Sequence, residues 1–138
     1  MFVLDASVAA KWFLPDGNNE RAEAVLTRVE RGEDAIAPAI FALEIQNTFL
    51  FAERHGRIAS EDVEAALDAL RNLPMRLVPG HDRFLPGAEL ALARHYLLTV
   101  YDAAYLACAA DRNIELVTAD GALDRAARDF GLVTTFIT

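Results

Sequence analysis

MFVLDASVAAKWFL (Met1–Leu14) runs an apolar stretch straight into Asp5 and continues at once into an alanine-rich helical stretch. The arrangement recurs near the other end as IELVTADGAL (Ile114–Leu123), where Asp120 again stands between an apolar run and a helical pattern. A carboxylate placed where a buried strand stops and a helix begins lies at the carboxyl edge of a parallel sheet, the edge at which such sheets bind ligands.

Working outward from these two stretches, apolar runs of strand length occur at Met1 to Leu4, Ala35 to Ala37, Met75 to Val78, Glu115 to Thr118 and Leu132 to Ile137. They are continuous rather than alternating, as in strands covered on both faces. Helical periods fill the intervals. Asn18 or Asn19 caps a helix through Arg31 with Gly32 just past its end, and Pro38 opens a long apolar helix closing at His55-Gly56. Ser60, followed by Glu61 and Asp62, starts a helix ending near Pro74, and three more fit Arg83 to Tyr96, Asp102 to Arg112 and Gly121 to Phe130. Strands alternating with helices predict an α/β fold, a parallel sheet between helical layers. With 138 residues and no repeat or linker rich in Gly, Pro or Ser, the chain is expected to form one domain over residues 1–138.

Composition narrows the function classes. Cys108 is the only cysteine, which excludes an internal disulfide and suits a small core thiol in a reducing cytoplasm. No apolar run approaches the ~20 residues of a membrane span, and MFVLD lacks the basic start of a signal peptide, so a cytoplasmic protein is expected. A net charge of −8 argues against coating nucleic acid non-specifically, because such binding is driven by Lys and Arg neutralising phosphates. It leaves open an acidic site that meets phosphate through a metal.

Two further acids extend the pair. Glu44 lies within PAIFALEIQNTFLF, apolar on nearly every side, where an ionised carboxylate is costly unless compensated. Asp102, in YDAAYLACAA, projects from the first turn of a helix whose other faces are small and apolar. Taken singly, Asp102 and Asp120 also read as helix N-caps, Asp5 as another beside the capping hydroxyl of Ser7, and Glu44 as a surface group or an arginine's partner. Taken together, Asp5, Glu44, Asp102 and Asp120 can converge on one edge of the sheet, where their mutual repulsion requires protons or cations. Oxygen ligands without histidine or thiolate suit Mg²⁺ or Mn²⁺. His55, His81 and His95 have no ligand spacing and read as surface or capping groups. Asp16, Asp82, Asp111, Asp124 and Asp129 read as solvated charges, with Asp124 near enough to Asp120 to touch a second ion.

VLDASV at the start, the mid-helix acid of ALEIQN, YDAAYLA and LVTADGAL stand in an order and spacing that resembles the PIN-domain ribonucleases, and within them the VapC-type toxins of bacterial toxin-antitoxin pairs. The resemblance covers nearly the whole chain. It implies that Asp5, Glu44, Asp102 and Asp120 form a metal-binding catalytic quartet, supported through hydrogen bonds by Ser7, Asn47 and Thr118. It further implies an α/β/α sandwich, a homodimer, RNA as substrate and a cognate antitoxin. Gly121 departs from the pattern, since many relatives carry a larger, often charged residue after the fourth acid. On these ligands a bound Mg²⁺ or Mn²⁺ is expected to activate water for in-line attack on a phosphodiester.

Other classes fit less well. A phosphoacceptor domain needs a mid-chain strand ending in aspartate and a lysine beyond a later strand; the mid-chain strands end at Pro38 and before Pro79, and the only lysine is Lys11. A phosphatase of the haloacid dehalogenase type wants an acid two residues after Asp5, where Ser7 stands. A non-catalytic RNA- or protein-binding module would have no need of the acidic quartet. Trp12, Phe13 and the surplus apolar residues of PAIFALEIQNTFLF suggest a groove for an apolar segment of an antitoxin.

Overall fold

The structure is a computed structural model, and it describes residues 1–79 and 87–138. Five strands form one parallel sheet: β1 (Phe2–Leu4), β2 (Ala35–Pro38), β3 (Met75–Val78), β4 (Glu115–Thr118) and β5 (Thr134–Phe136), in the order β3-β2-β1-β4-β5. The described helices are α1 (Ala6–Lys11), α2 (Glu20–Glu30), α3 (Phe41–Arg54), α4 (Ser60–Arg71), α5 (Ala88–Tyr96), α6 (Val100–Arg112) and α7 (Gly121–Phe130). The chain steps from β1 to β2 to β3 in one direction, returns to the far side of β1 for β4, and ends with β5. Right-handed crossovers therefore put α1–α4 on one face and α5–α7 on the other. The packing agrees: α1 meets α2 and α3, α3 meets α4, and α6 lies on β1, β2 and β4 between α5 and α7. This is the expected three-layer α/β/α sandwich.

The central strands carry the core. Phe2, Val3, Leu4, Leu116 and Val117 have no exposed surface, and Ile36 has almost none, because helices cover both faces of the sheet. Tyr105 and Leu106 fill one side and Val8 and Phe49 the other. Cys108 is buried in α6, and burial raises its thiol pKa, as suits a packing group.

Most boundaries fall where the sequence places them. Asn19 caps α2 by accepting from the Ala22 N–H, and Gly131 takes φ +104 at the end of α7. Pro38 is a correction. It does not open α3 but ends β2, paired with Val78, and the helix starts at Phe41 after Ile40, whose side chain makes no capping bond. A proline at the last position of a strand donates nothing to the ladder and interrupts little of it. Arg83, the expected start of α5, lies outside the described residues; Gly87 is extended and the described helix begins at Ala88. His81 and Asp82 also lie outside them. Trp12 is part of the core, its Nε1 donating to the Ala22 carbonyl at 2.8 Å, and the half-buried Phe13 packs edge-on against Phe49.

Below the amino ends of β1 and β4, Arg28 joins Glu33 through two bonds of 2.7 Å and Glu115 through bonds of 3.2 and 2.6 Å, with its guanidinium 4.2 Å from the centre of the Phe2 ring. Burial raises the Glu115 pKa, but hydrogen bonds from Arg28 and Thr135 outweigh it and hold the carboxyl below its usual value. Glu33 is lowered chiefly by its Arg28 hydrogen bonds. Both depressed carboxyls stabilise the fold above about pH 4.5, and that contribution is lost as pH falls through their folded values. Arg28→Ala is therefore expected to cost about 2 kcal/mol at pH 7 by leaving the partly buried Glu115 uncompensated. The loss should shrink on acidification below pH 4. Thermal melts across pH check this, and a deficit independent of pH would assign Arg28 to packing alone.

Candidate active site

β1 and β4 are neighbours from which the chain departs in opposite directions, so a crevice opens beyond their carboxyl ends. Asp5 follows β1 directly. Its backbone N–H continues the pairing by donating to the Val117 carbonyl at 3.0 Å, which ties the residue to the sheet edge. Its side chain is only 3% exposed, and Oδ2 accepts from the Ser7 hydroxyl and the Thr118 hydroxyl, each at 2.7 Å. Oδ1 accepts from the Ser7 N–H at 3.3 Å, making Asp5 the cap of α1. The expectation that Ser7 is the capping group is thus corrected: Ser7 is the second helical residue, and its hydroxyl bridges Asp5 to the Ala119 N–H at 3.0 Å.

Thr118 makes the parallel bridge. It donates to Asp5 and accepts from the Asp120 N–H at 2.9 Å, so two hydroxyls lock the loop after β4 onto the carboxylate after β1. Asp120 caps α7, its Oδ1 accepting from the Leu123 N–H at 2.9 Å. Asp102 does not cap α6. That role falls to Thr99, which accepts from the Asp102 N–H at 3.1 Å and leaves the Asp102 carboxylate half-buried on the first turn.

Electrostatics join the four acids. Burial raises the Asp5 pKa above its usual value despite the opposing Thr118 and Ser7 hydrogen bonds, and the Asp120 charge adds to the rise. Asp102 is raised by burial first, then by the charge of Asp120, with a smaller push from Asp5. Glu44, reaching in from α3, is pushed up to about 7 by burial and by the charges of Asp5 and Asp102. Its Oε1 is buried without a hydrogen-bond partner. The neighbouring Tyr105 hydroxyl opposes this rise in pKa less than burial and those charges promote it, and a buried carboxylate oxygen under the charge of two more carboxylates is expensive unless a cation or proton joins it.

Ser7 and Thr118 bind Asp5 directly, whereas Asn47 is exposed on α3 and, among the described residues, no hydrogen bond joins it to the acids. Asp124 is not a solvated charge: it is 7% exposed and pairs with Arg128 at 2.9 and 3.0 Å. His55 ends α3 with its Nδ1 2.8 Å from the Phe51 carbonyl, and His95 is exposed. Tyr105 escaped the sequence reading. It is fully buried, its hydroxyl has no hydrogen bond of good geometry, and it feels the charges of Asp5 and Glu44. Its position three residues after Asp102, on the same helical face, is the signal that marks it.

Among the described residues, no group of three or more His, Cys, Asp or Glu side chains is gathered as a ready-made metal site. The donor chemistry nevertheless fits a hard cation: carboxylate oxygens from four elements, one of them buried and unsatisfied, and neither imidazole nor thiolate.

A family model described as PIN domain matches residues 2–129. The chain is 32% identical over 123 residues to Ribonuclease VapC12 of Mycobacterium tuberculosis, covering 89% of both chains. Among solved structures, PAE2754 from Pyrobaculum aerophilum is similar with a TM-score of 0.66 at 19% identity, covering 96% of this chain and 87% of that one. FitAcB from Neisseria gonorrhoeae gives 0.61 at 16% identity, covering 99% and 97%.

Proposed function

The chain belongs to the PIN-domain family, and from that premise we propose that it is a divalent-metal-dependent endoribonuclease, the toxin of a toxin-antitoxin pair, formed by a single domain over residues 1–138. The observation that carries the reading is the orphaned, buried Glu44 oxygen, whose carboxyl feels the charges of Asp5 and Asp102. Asp5, Glu44, Asp102 and Asp120 would hold Mg²⁺, or Mn²⁺ in its place, which when bound supplies Lewis acidity toward a phosphoryl oxygen and activation of the attacking water.

The chain's own groups prepare that site. With Asp5 Oδ2 occupied by two hydroxyls, Oδ1 is the oxygen with coordination capacity to spare. Ser7 and Thr118 fix the rotamer of Asp5 and join it to the loop carrying Asp120, so two acids from different strands move as one unit. Asp120 has Oδ1 on the cap of α7, which leaves Oδ2 to orient the nucleophile. In-line displacement of this kind leaves a 5′-phosphate and a 3′-hydroxyl.

The proposed protein partners are a second copy of this chain and an antitoxin. An apolar groove of about 420 Å³ between α3, α4 and β3, lined by Phe41, Ile45, Leu67, Leu70, Leu73 and Leu77, fits an apolar segment of the antitoxin. Leu77 at its rim is 45% exposed. The purified protein should cut RNA in Mg²⁺ or Mn²⁺ and stop when a chelator is added. Undiminished cutting in chelator would overturn the metal, and intact RNA with either ion would overturn the nuclease. Co-purification with the product of a small adjacent gene tests the antitoxin, and harmless expression of the chain alone would count against it.

A further inference from the structure

α7 begins at Gly121, immediately after Asp120, and this glycine makes room for a cation. A Cβ built on Gly121 would lie 3.2 Å from Nη1 of Arg125, closer than an ordinary van der Waals contact, so the guanidinium rests over the bare backbone of the first turn. Helical side chains lean toward the N-terminus, which carries Arg125 back one turn toward the catalytic edge. Arg125 is exposed and, among the described residues, has neither an ion pair nor a hydrogen bond; Arg21, Arg31, Arg54 and Arg94 share that state, but of these only Arg125 stands on the helix that Asp120 caps. Helix stability does not account for this placement, because positive charge is unfavourable at a helix N-terminus.

A protein of net charge −8 that binds a polyanion must offer positive charge close to its site. We propose that Arg125, admitted by Gly121 to the edge of the acidic crevice, is a substrate-binding residue that holds an RNA backbone phosphate beside the scissile one. The planar guanidinium suits bidentate contact with phosphate oxygens. The assignment rests on the nuclease reading above and extends it to a residue outside the quartet. The contact is made before and during the reaction alike, so its removal should act on KM and leave kcat nearly unchanged.

The test compares Arg125→Ala, Arg125→Lys and Arg31→Ala with wild type on a short single-stranded RNA in Mn²⁺. Arg31 follows α2 and leads toward the amino end of β2, at the opposite edge of the sheet. Arg125→Ala should raise KM about tenfold with kcat within about twofold. In an Asp5→Asn background, which binds without cutting, Arg125→Ala should lower the slope of log affinity against log salt by about 0.7, as expected for one lost phosphate contact on a single strand. Arg125→Lys should restore the slope with part of the affinity, and Arg31→Ala should match wild type. An Arg125→Ala protein with unchanged KM and salt slope, or one altered only in melting temperature, would overturn the proposal and leave the nuclease reading standing. A wild type unable to cut RNA would overturn both.

Discussion

Asp5→Asn is expected to lower the rate of RNA cleavage on the order of a thousandfold while raising the melting temperature of the metal-free protein. The loss of rate follows from removing the carboxylate that the Ser7 and Thr118 hydroxyls hold in place at the junction of β1 and β4. The gain in stability follows from its environment. Burial and the charge of Asp120 disfavour the ionised form more strongly than the hydroxyls favour it, so the charge of Asp5 is a net cost to the folded state at neutral pH. Asparagine caps helices about as well as aspartate, so α1 keeps its start. A gain near 1 kcal/mol would appear as a rise of a few degrees for a domain of this size. Added Mn²⁺ should stabilise wild type more than the variant by mass action and narrow or reverse the gap. Parallel kinetics and melts with and without Mn²⁺ decide the matter. Full activity in the variant would remove Asp5 from the site, and an equal deficit in stability with and without metal would reduce Asp5 to a capping residue.

The features legible in the sequence are those that local chemistry determines. Buried parallel strands must be apolar throughout, so VLDASV and LVTADGAL showed both where β1 and β4 end and which acids stand beyond them. Asn19, Gly32 and Gly56 mark helix ends because capping and positive φ select few residue types. The misreadings arose where one residue type serves two roles. Proline suits the first turn of a helix and also the end of a strand, and Pro38 takes the second role because Val78 lies beside it. Asn47 lies one turn from Glu44, but the buried stripe of α3 runs through Phe41, Ile45, Phe49 and Ala52, and Asn47 falls outside it on the solvent side. Asp124 reads as solvated by composition; its pair with Arg128 is a local i,i+4 contact within α7, and only its burial comes from tertiary packing. Tyr105 and Arg125 were missed for a related reason. The spacing of Tyr105 from Asp102 is visible, but its meaning depends on Glu44 reaching in from α3, and that of Arg125 on the space left by Gly121.

Glu44 should give the acidic site a pH dependence near neutrality that an ordinary glutamate could not. Its pKa of about 7 means that the metal-free protein carries a proton there for roughly half the time at neutral pH, held by burial and by the charges of Asp5 and Asp102. A divalent ion needs the carboxylate form, so binding must expel that proton. The apparent Mn²⁺ affinity should therefore fall about tenfold per pH unit below pH 7 and flatten above it, with close to one proton released per ion on the acidic side. Cleavage at subsaturating metal should follow the same profile. The effect on metal-free stability runs the other way, because a carboxyl with a raised folded pKa contributes most below its unfolded value and loses that contribution as pH rises. Wild type should thus lose stability relative to Glu44→Gln between about pH 4.5 and 7, with a constant gap at higher pH. Glu44→Gln should also abolish the proton release and lower activity by orders of magnitude. Calorimetry of Mn²⁺ binding in buffers of different ionisation enthalpy counts the protons directly. If wild type releases none at pH 6, or if the two proteins differ in stability by the same amount at pH 5 and pH 8, Glu44 titrates like a solvated side chain and does not share a pocket with Asp5 and Asp102.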